Sequence, residues 1–249
     1  MVNFQPLKAY MFYCLDKLIR DYDLKPPFLD VGCGNGDLSG YVAAKGWNGK
    51  AIDFSDVAIA SASDRLKRFP RVIVEKRPLT AVHGTYRTVF LWDVLEHIQD
   101  DEVALGKIAS LLSEDGHILA SVPSNPREWR WDDNLYGHYR RYTADEITVK
   151  LIQAGLEVLL LWDFTYPFFW IMRRAYVKLQ RTPQIEDLNL STRVSSTVKA
   201  WDNSFLARFL DGLIIRSPLY ELQFRLFRNQ TARGHEMFVL ARKMPDTSA

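Results

Sequence analysis

Seven residues, Asp30-Val31-Gly32-Cys33-Gly34-Asn35-Gly36, constrain this chain more than any other feature. They follow a short apolar run at 28–31 and precede a segment at 38–45 with helical periodicity that ends at Gly46. Alternate glycines let a strand turn sharply into a helix, and without Cβ atoms the backbone can approach a ligand closely. An acidic residue two positions ahead of the three glycines favours a nucleotide-binding turn over an ordinary strand–helix junction. The spacing then narrows the guest. A dinucleotide fingerprint needs G-x-G-x-x-G, but its third position here is Asp37, with Gly36 one residue early. A P-loop needs Lys followed by Ser or Thr after the glycines, and none is present. A carboxylate at 37, beside a helix N-terminus, opposes a pyrophosphate there. A nucleoside carrying an ammonium and a sulfonium fits the charge pattern better, and a nicotinamide-dependent oxidoreductase is the weaker reading.

The rest of the chain alternates short apolar runs with amphipathic ones. Strands are expected near 28–31, 50–54, 72–75, 88–91, 118–122, 156–162 and 236–241. Helices are expected at 7–22, 38–45, 55–68, 103–112 and 144–154, with another including 95–98. Ser55 and Thr143 are candidate N-caps, and Thr143 with Glu146 forms a capping-box pattern. Strands without polar alternation, separated by helices, imply an α/β, doubly wound, mostly parallel sheet with helices on both faces. With 249 residues, 47% of them apolar, one domain over 1–249 is the expectation. Two segments depart from the repeat. Residues 124–143 are polar and aromatic and read as a loop or lid. Residues 163–232 form an aromatic-rich, largely helical insertion before the last strand.

As a set, these segments resemble the class I S-adenosylmethionine-dependent methyltransferases of the small-molecule type. The resemblance is carried by 30–36, by Asp53 at the end of the second strand, and by the runs 89–98 and 116–123. It implies a seven-stranded sheet with the last strand antiparallel, and S-adenosyl-L-methionine as cofactor. Asp30, Gly32, Cys33, Gly34, Gly36, Asp53, Phe54, Trp92 and Asp93 are then the cofactor-side residues. Asp53 would take the ribose hydroxyls and Phe54 would lie near the adenine. The third-strand end departs from the pattern, because Lys76 and Arg77 follow Glu75 where relatives often carry an acid.

Methyl transfer to a hydroxyl needs an aligned acceptor and a group to take its proton. His97, after the fourth strand, and His138, after the fifth, are the catalytic candidates. Around His138, the residues Tyr136, Tyr139, Arg140, Arg141 and Tyr142 suit recognition of a phosphate, carboxylate or sugar hydroxyl. His117 reads as structural. Asp132-Asp133-Asn134 raises a divalent-metal option that is not favoured, so no metal ligand is assigned. Phe168 stands for the insertion in the acceptor site.

The insertion mixes apolar stretches at 164–172 and 205–227 with arginines, which suits a cap, a homodimer surface or peripheral membrane contact. The expected acceptor is a small molecule, glycan or lipid-like compound, with O-methylation ahead of N-methylation. A net charge of +2 gives no nucleic-acid signal. The alternatives are a catalytically silent nucleoside-binding or interaction subunit and a nucleic-acid methyltransferase. Cys14 and Cys33 make no CxxC pair, and 1–6 lack the basic-then-apolar order of a signal peptide. A cytoplasmic location, with membrane association open, is the expectation.

Overall fold

The computed structural model describes residues 6–179, 218–227 and 233–245. Seven strands form one sheet: β1 (Phe28–Val31), β2 (Gly49–Asp53), β3 (Val72–Lys76), β4 (Tyr86–Trp92), β5 (Leu112–Pro123), β6 (Leu156–Asp163) and β7 (Glu236–Lys243). Their order is β3-β2-β1-β4-β5-β7-β6. The pairs β3–β2, β2–β1, β1–β4 and β4–β5 are parallel. β7 runs antiparallel to both β5 and β6. The sheet reverses its winding between β1 and β4, which opens a crevice at their carboxyl ends.

Helices flank the strands: α1 (Pro6–Asp21), α2 (Asp37–Ala43), α3 (Asp56–Leu66), α4 (Asp101–Leu111), α5 (Trp131–Tyr136), α6 (Ala144–Gln153), α7 (Phe168–Leu179) and α8 (Pro218–Phe227). The strands lack polar alternation because both faces are buried. Phe28, Phe90, Leu119 and Phe238 enter one core with α1 and α8, while Leu29, Val89, Ile118 and Val239 enter the other with α4 and α6. Ser55 caps α3 through the Ala58 N–H at 3.3 Å, and Thr143 and Glu146 form a reciprocal box at α6.

Three expectations change. The helix expected to include 95–98 is a single 3-10 turn, Leu95–His97, because only a few residues separate β4 from α4. β5 starts at Leu112, directly after α4, and breaks register with β4 between Tyr86 and Thr88. The segment 124–143 contains a 3-10 turn, Pro126–Glu128, and α5. Its Asp132, Asp133, Arg141 and Tyr142 are buried, so much of it is core.

The described parts of the insertion pack onto the domain. Tyr10 of α1 stacks on Phe169 of α7 at 5.2 Å and meets Tyr220 of α8 at 5.2 Å. Phe224 of α8 meets Trp162 of β6 edge-on at 5.2 Å. Buried Asp163 ties the insertion's two ends together, receiving the Thr165 hydroxyl at 2.9 Å and the Gly234 N–H. The apolar stretch at 205–215 lies outside the described residues. No helix among the described residues is long and apolar enough to cross a membrane.

Candidate active site

The glycine turn sits at the carboxyl end of β1. Asp30 is buried and accepts the Ser39 hydroxyl at 2.6 Å. Burial pushes its carboxyl up to about 7. Gly34 has φ +54, and a Cβ there would meet nothing within 4 Å, so its outer side is open. Gly36 differs: at φ +75, a Cβ would press on Ala62 and Leu66 of α3 at 3.1–3.2 Å. Gly36 thus does the helix-packing work that a dinucleotide fingerprint gives to its third glycine. Gly32 is more crowded still, since a Cβ there would lie 2.7 Å from Val94. Cys33 is buried and its thiol is pushed well up, so it stays neutral.

Asp53, at the end of β2, is fixed against the turn. It accepts the Gly34 N–H at 3.0 Å and the Ser55 N–H at 2.9 Å, leaving lone pairs for a further donor. Phe54 beside it is 61% exposed, an apolar face with no packing duty. At the β3 end, Glu75 is held by Lys50 at 3.0 Å and Arg77 at 2.7 Å, and burdens neither neighbour with a free charge. Asp37 is also paired, with Lys8 of α1 and with Arg65 at 2.7 Å. These cations offset the carboxylate that the sequence set against a pyrophosphate, so the charge argument for the guest is weaker in three dimensions than along the chain.

Across the crevice, Trp92 ends β4 and packs on Phe12 of α1 at 5.3 Å. Asp93 is exposed with φ +54 and accepts the Ser121 hydroxyl at 2.7 Å. Next to it Glu96 is wholly buried, and burial together with Asp93 raises its carboxyl far above the usual range. Glu236, at the start of β7, is raised for the same reasons, burial first and Asp93 second. His97 is partly exposed, with Nε2 4.0 Å from Glu96 Oε1. Its ring meets that of His138 edge-on at 4.9 Å. The two histidines of the sequence reading, forty-one positions apart, are therefore neighbours.

His138 is oriented from behind. Its Nδ1 bonds Asp133 Oδ1 at 2.9 Å, and Tyr136 lies 5.9 Å from the ring. Asp133 is buried, yet the His138 and Arg141 contacts hold its carboxyl below the usual range. Arg141 reaches it at 2.8 Å and Arg173 of α7 at 3.1 Å; Arg173 also grips Asp132 at 2.7 Å. The acidic pair that raised a metal option is thus already neutralised by arginine.

The remaining expected residues divide. Tyr139 is 58% exposed. Arg140 pairs with Asp101 at 2.6 Å, and buried Tyr142 donates to the same carboxylate at 2.8 Å. Arg141 donates to the Ser124 and His235 carbonyls at 2.9 Å each. Phe168 is half-buried at the start of α7, against Phe169. His117 lies on the early half of β5, opposite Thr88 at the far edge of the sheet, and burial lowers its pKa. Sequence reasoning missed Glu96, Asp133 as a partner, Arg173 and Glu236. The adjacency of an acid and a histidine at 96–97 was the only local signal for any of them.

A family model described as a methyltransferase domain matches residues 8–161. The chain belongs to the methyltransferase domain family. This methyltransferase domain is 29% identical over 158 residues to the ubiquinone biosynthesis O-methyltransferase of Marinobacter nauticus, covering 55% of this chain and 66% of that protein. It is 30% identical over 109 residues to the enzyme of the same description from Pseudomonas aeruginosa, covering 41% and 46%. The alignments span about half to two thirds of the length of these curated relatives. Among solved structures, the [4+2]-cyclase SpnF superposes with a TM-score of 0.61 at 17% identity, covering 93% of this chain and 80% of that one. The Burkholderia thailandensis 1,6-didemethyltoxoflavin-N1-methyltransferase, solved with S-adenosylhomocysteine, gives 0.56 at 17%, covering 95% and 79%. At these identities the superpositions establish the fold alone, and SpnF illustrates that this fold hosts more than one chemistry.

Proposed function

We propose that this chain is an S-adenosylmethionine-dependent methyltransferase that acts on a hydroxyl of a small molecule. The observation that carries the reading is the open side of Gly34 together with the Asp53 carboxylate that its N–H fixes, at the switch point of the sheet. The cofactor would lie there, its ribose hydroxyls donating to Asp53 and its adenine against exposed Phe54. Its ammonium would be drawn towards Asp30 and Asp93 across the turn formed by Gly32, Cys33, Gly34 and Gly36, with Trp92 walling the crevice.

The sulfonium is already activated, so alignment supplies much of the rate. The acceptor oxygen attacks the methyl carbon in line. The S–CH₃ bond breaks with its electron pair going to sulfur, and the acceptor's proton leaves. His97 and His138 would take that proton or hold the oxygen. Tyr136 beside His138, with Tyr139 and Phe168, would suit an acceptor with a polar reacting end and an apolar remainder, such as a glycan conjugate or lipid-like compound.

Calorimetry with S-adenosylhomocysteine tests the cofactor reading. Asp53→Ala should lower affinity by at least about tenfold, since a charge-assisted hydrogen bond is worth ~1.5–3 kcal/mol. Unchanged affinity in a folded variant removes the ribose assignment.

A further inference from the structure

Glu96 has no exposed surface, and neither of its carboxylate oxygens meets a hydrogen-bond donor on another of the described residues. A buried carboxylate in that condition either takes up a proton or needs a cation to compensate it. The nearby arginines are committed elsewhere: Arg141 and Arg173 both bind Asp133. Asp93 and Glu236 add further acid to the same corner.

We propose that Glu96, His97 and His138 form a binding site for a divalent transition-metal ion of the zinc, manganese, iron or cobalt kind. One ligand atom from each lies within 4.8 Å of the other two. Ligands of a filled tetrahedral site bonded at about 2.1 Å stand roughly 3.4 Å apart, so closure needs about an ångström of side-chain rotation. The donor set of two imidazoles and one carboxylate selects borderline ions over magnesium or calcium, which prefer oxygen. Three protein ligands leave at least one position for water or an acceptor oxygen.

The support behind His138 points the same way. A metal-bound imidazole characteristically gives its second nitrogen to a carboxylate, which fixes the tautomer and ring orientation. Asp133 does this at 2.9 Å, and its two arginines keep it charged. In the filled site His97 and His138 act as ligands, and the acceptor oxygen is held by the ion rather than by the imidazoles. The site rests on local geometry and stands independently of the cofactor reading.

The test is titration of chelator-treated full-chain protein with Zn²⁺ by calorimetry and with Co²⁺ by its visible ligand-field absorption, without any methyl-transfer assay. The expected result is one saturable site per chain. Glu96→Gln, His97→Ala and His138→Ala should each weaken binding by at least ~100-fold, and Asp133→Asn by about 10–100-fold. His117→Ala, at the other edge of the sheet, should change nothing. Binding of S-adenosylhomocysteine by the same samples reports folding and tests the cofactor reading separately. If Glu96→Gln does not fold, the two histidine variants decide. Absence of a saturable site in the parent protein, or an affinity equal to the parent's in both histidine variants, overturns the proposal.

Discussion

Asp30 makes a quantitative prediction. Its carboxyl is buried behind the glycine turn, with the Ser39 hydroxyl as partner, and burial raises its pKa to about 7. A ligand that brings an ammonium and a sulfonium to this turn stabilises the charged carboxylate and pulls that pKa down. Binding is then linked to release of the proton. If only the carboxylate form binds, the apparent Kd is the intrinsic Kd multiplied by one plus the ratio of protonated to ionised Asp30. That factor is about 11 one pH unit below the pKa and about 1.1 one unit above it. Affinity for S-adenosylhomocysteine or S-adenosylmethionine should therefore rise about tenfold, or ~1.4 kcal/mol, between roughly pH 6 and pH 8. Near pH 7 each binding event should release about half a proton.

Calorimetry in two buffers of different ionisation enthalpy reads both quantities. The ligand's own amine titrates in the same region, so Asp30→Asn supplies the subtraction: it should bind more weakly at pH 8 and lose the linked proton. The sign of the stability effect is opposite. A carboxyl whose folded pKa lies above its unfolded value of 3.8 leaves the ligand-free protein most stable below that value. The stability is lost as pH rises through 7, by at most about 4 kcal/mol. Asp30→Asn should thus melt higher than the parent at pH 8 without ligand while binding less well. An Asp30→Asn protein that keeps the parent's pH dependence of binding refutes the reasoning.

The other outcomes are simpler to read. Arg173→Ala leaves Asp132 and Asp133 buried with one cation fewer, which should cost ~3 kcal/mol or more in a thermal or urea melt; a shift under ~1 kcal/mol would show that α7 does not hold this corner together. Gly34→Ala should fold with a strain penalty of only ~1 kcal/mol, because its surroundings are open, but should lose S-adenosylhomocysteine binding. Gly36→Ala should be the less stable of the two, since its methyl meets α3; the reverse order in chemical denaturation would contradict the packing assignment. Asp163, raised to about 6 by burial, contributes stability that is full below the ordinary carboxylate range and lost as pH rises through 6, and Asp163→Asn should flatten that part of the melting-temperature profile.

The sheet, the glycine turn and the carboxylate beside it were legible because their information is local. A glycine turn, a carboxylate about twenty residues later and unalternated apolar strands each declare themselves within a short window. Misreadings arose where tertiary partners decide. Residues 113–116 fall between the helix expected at 103–112 and the strand expected at 118–122, yet they lie within β5, at its register break with β4. Asp132 and Asp133 look like a solvated acidic pair until Arg173, some forty residues away, reaches back to them. Tyr142 and Arg140 looked like acceptor ligands, but Asp101 engages both. The depth of Glu96 has no sequence signature at all, since its neighbour His97 is partly exposed.

The two halves of the site also differ in what holds them. The glycine-turn side, where the cofactor is proposed to bind, depends on backbone conformation at 32–36 and on two N–H donors to Asp53, all near the centre of the sheet. The His97–His138 side depends on side chains drawn from the turn after β4, the 124–143 segment, β7 and α7, and its last tie runs through Arg173 of the insertion. A substitution in α7 can therefore loosen His138, through Asp133, without touching the glycine turn. Cofactor affinity and acceptor turnover should separate under such a change: Arg173 variants that still fold should keep the parent affinity for S-adenosylhomocysteine while turnover of the acceptor falls. A parallel loss of both would mean that the insertion supports the whole crevice rather than its acceptor half.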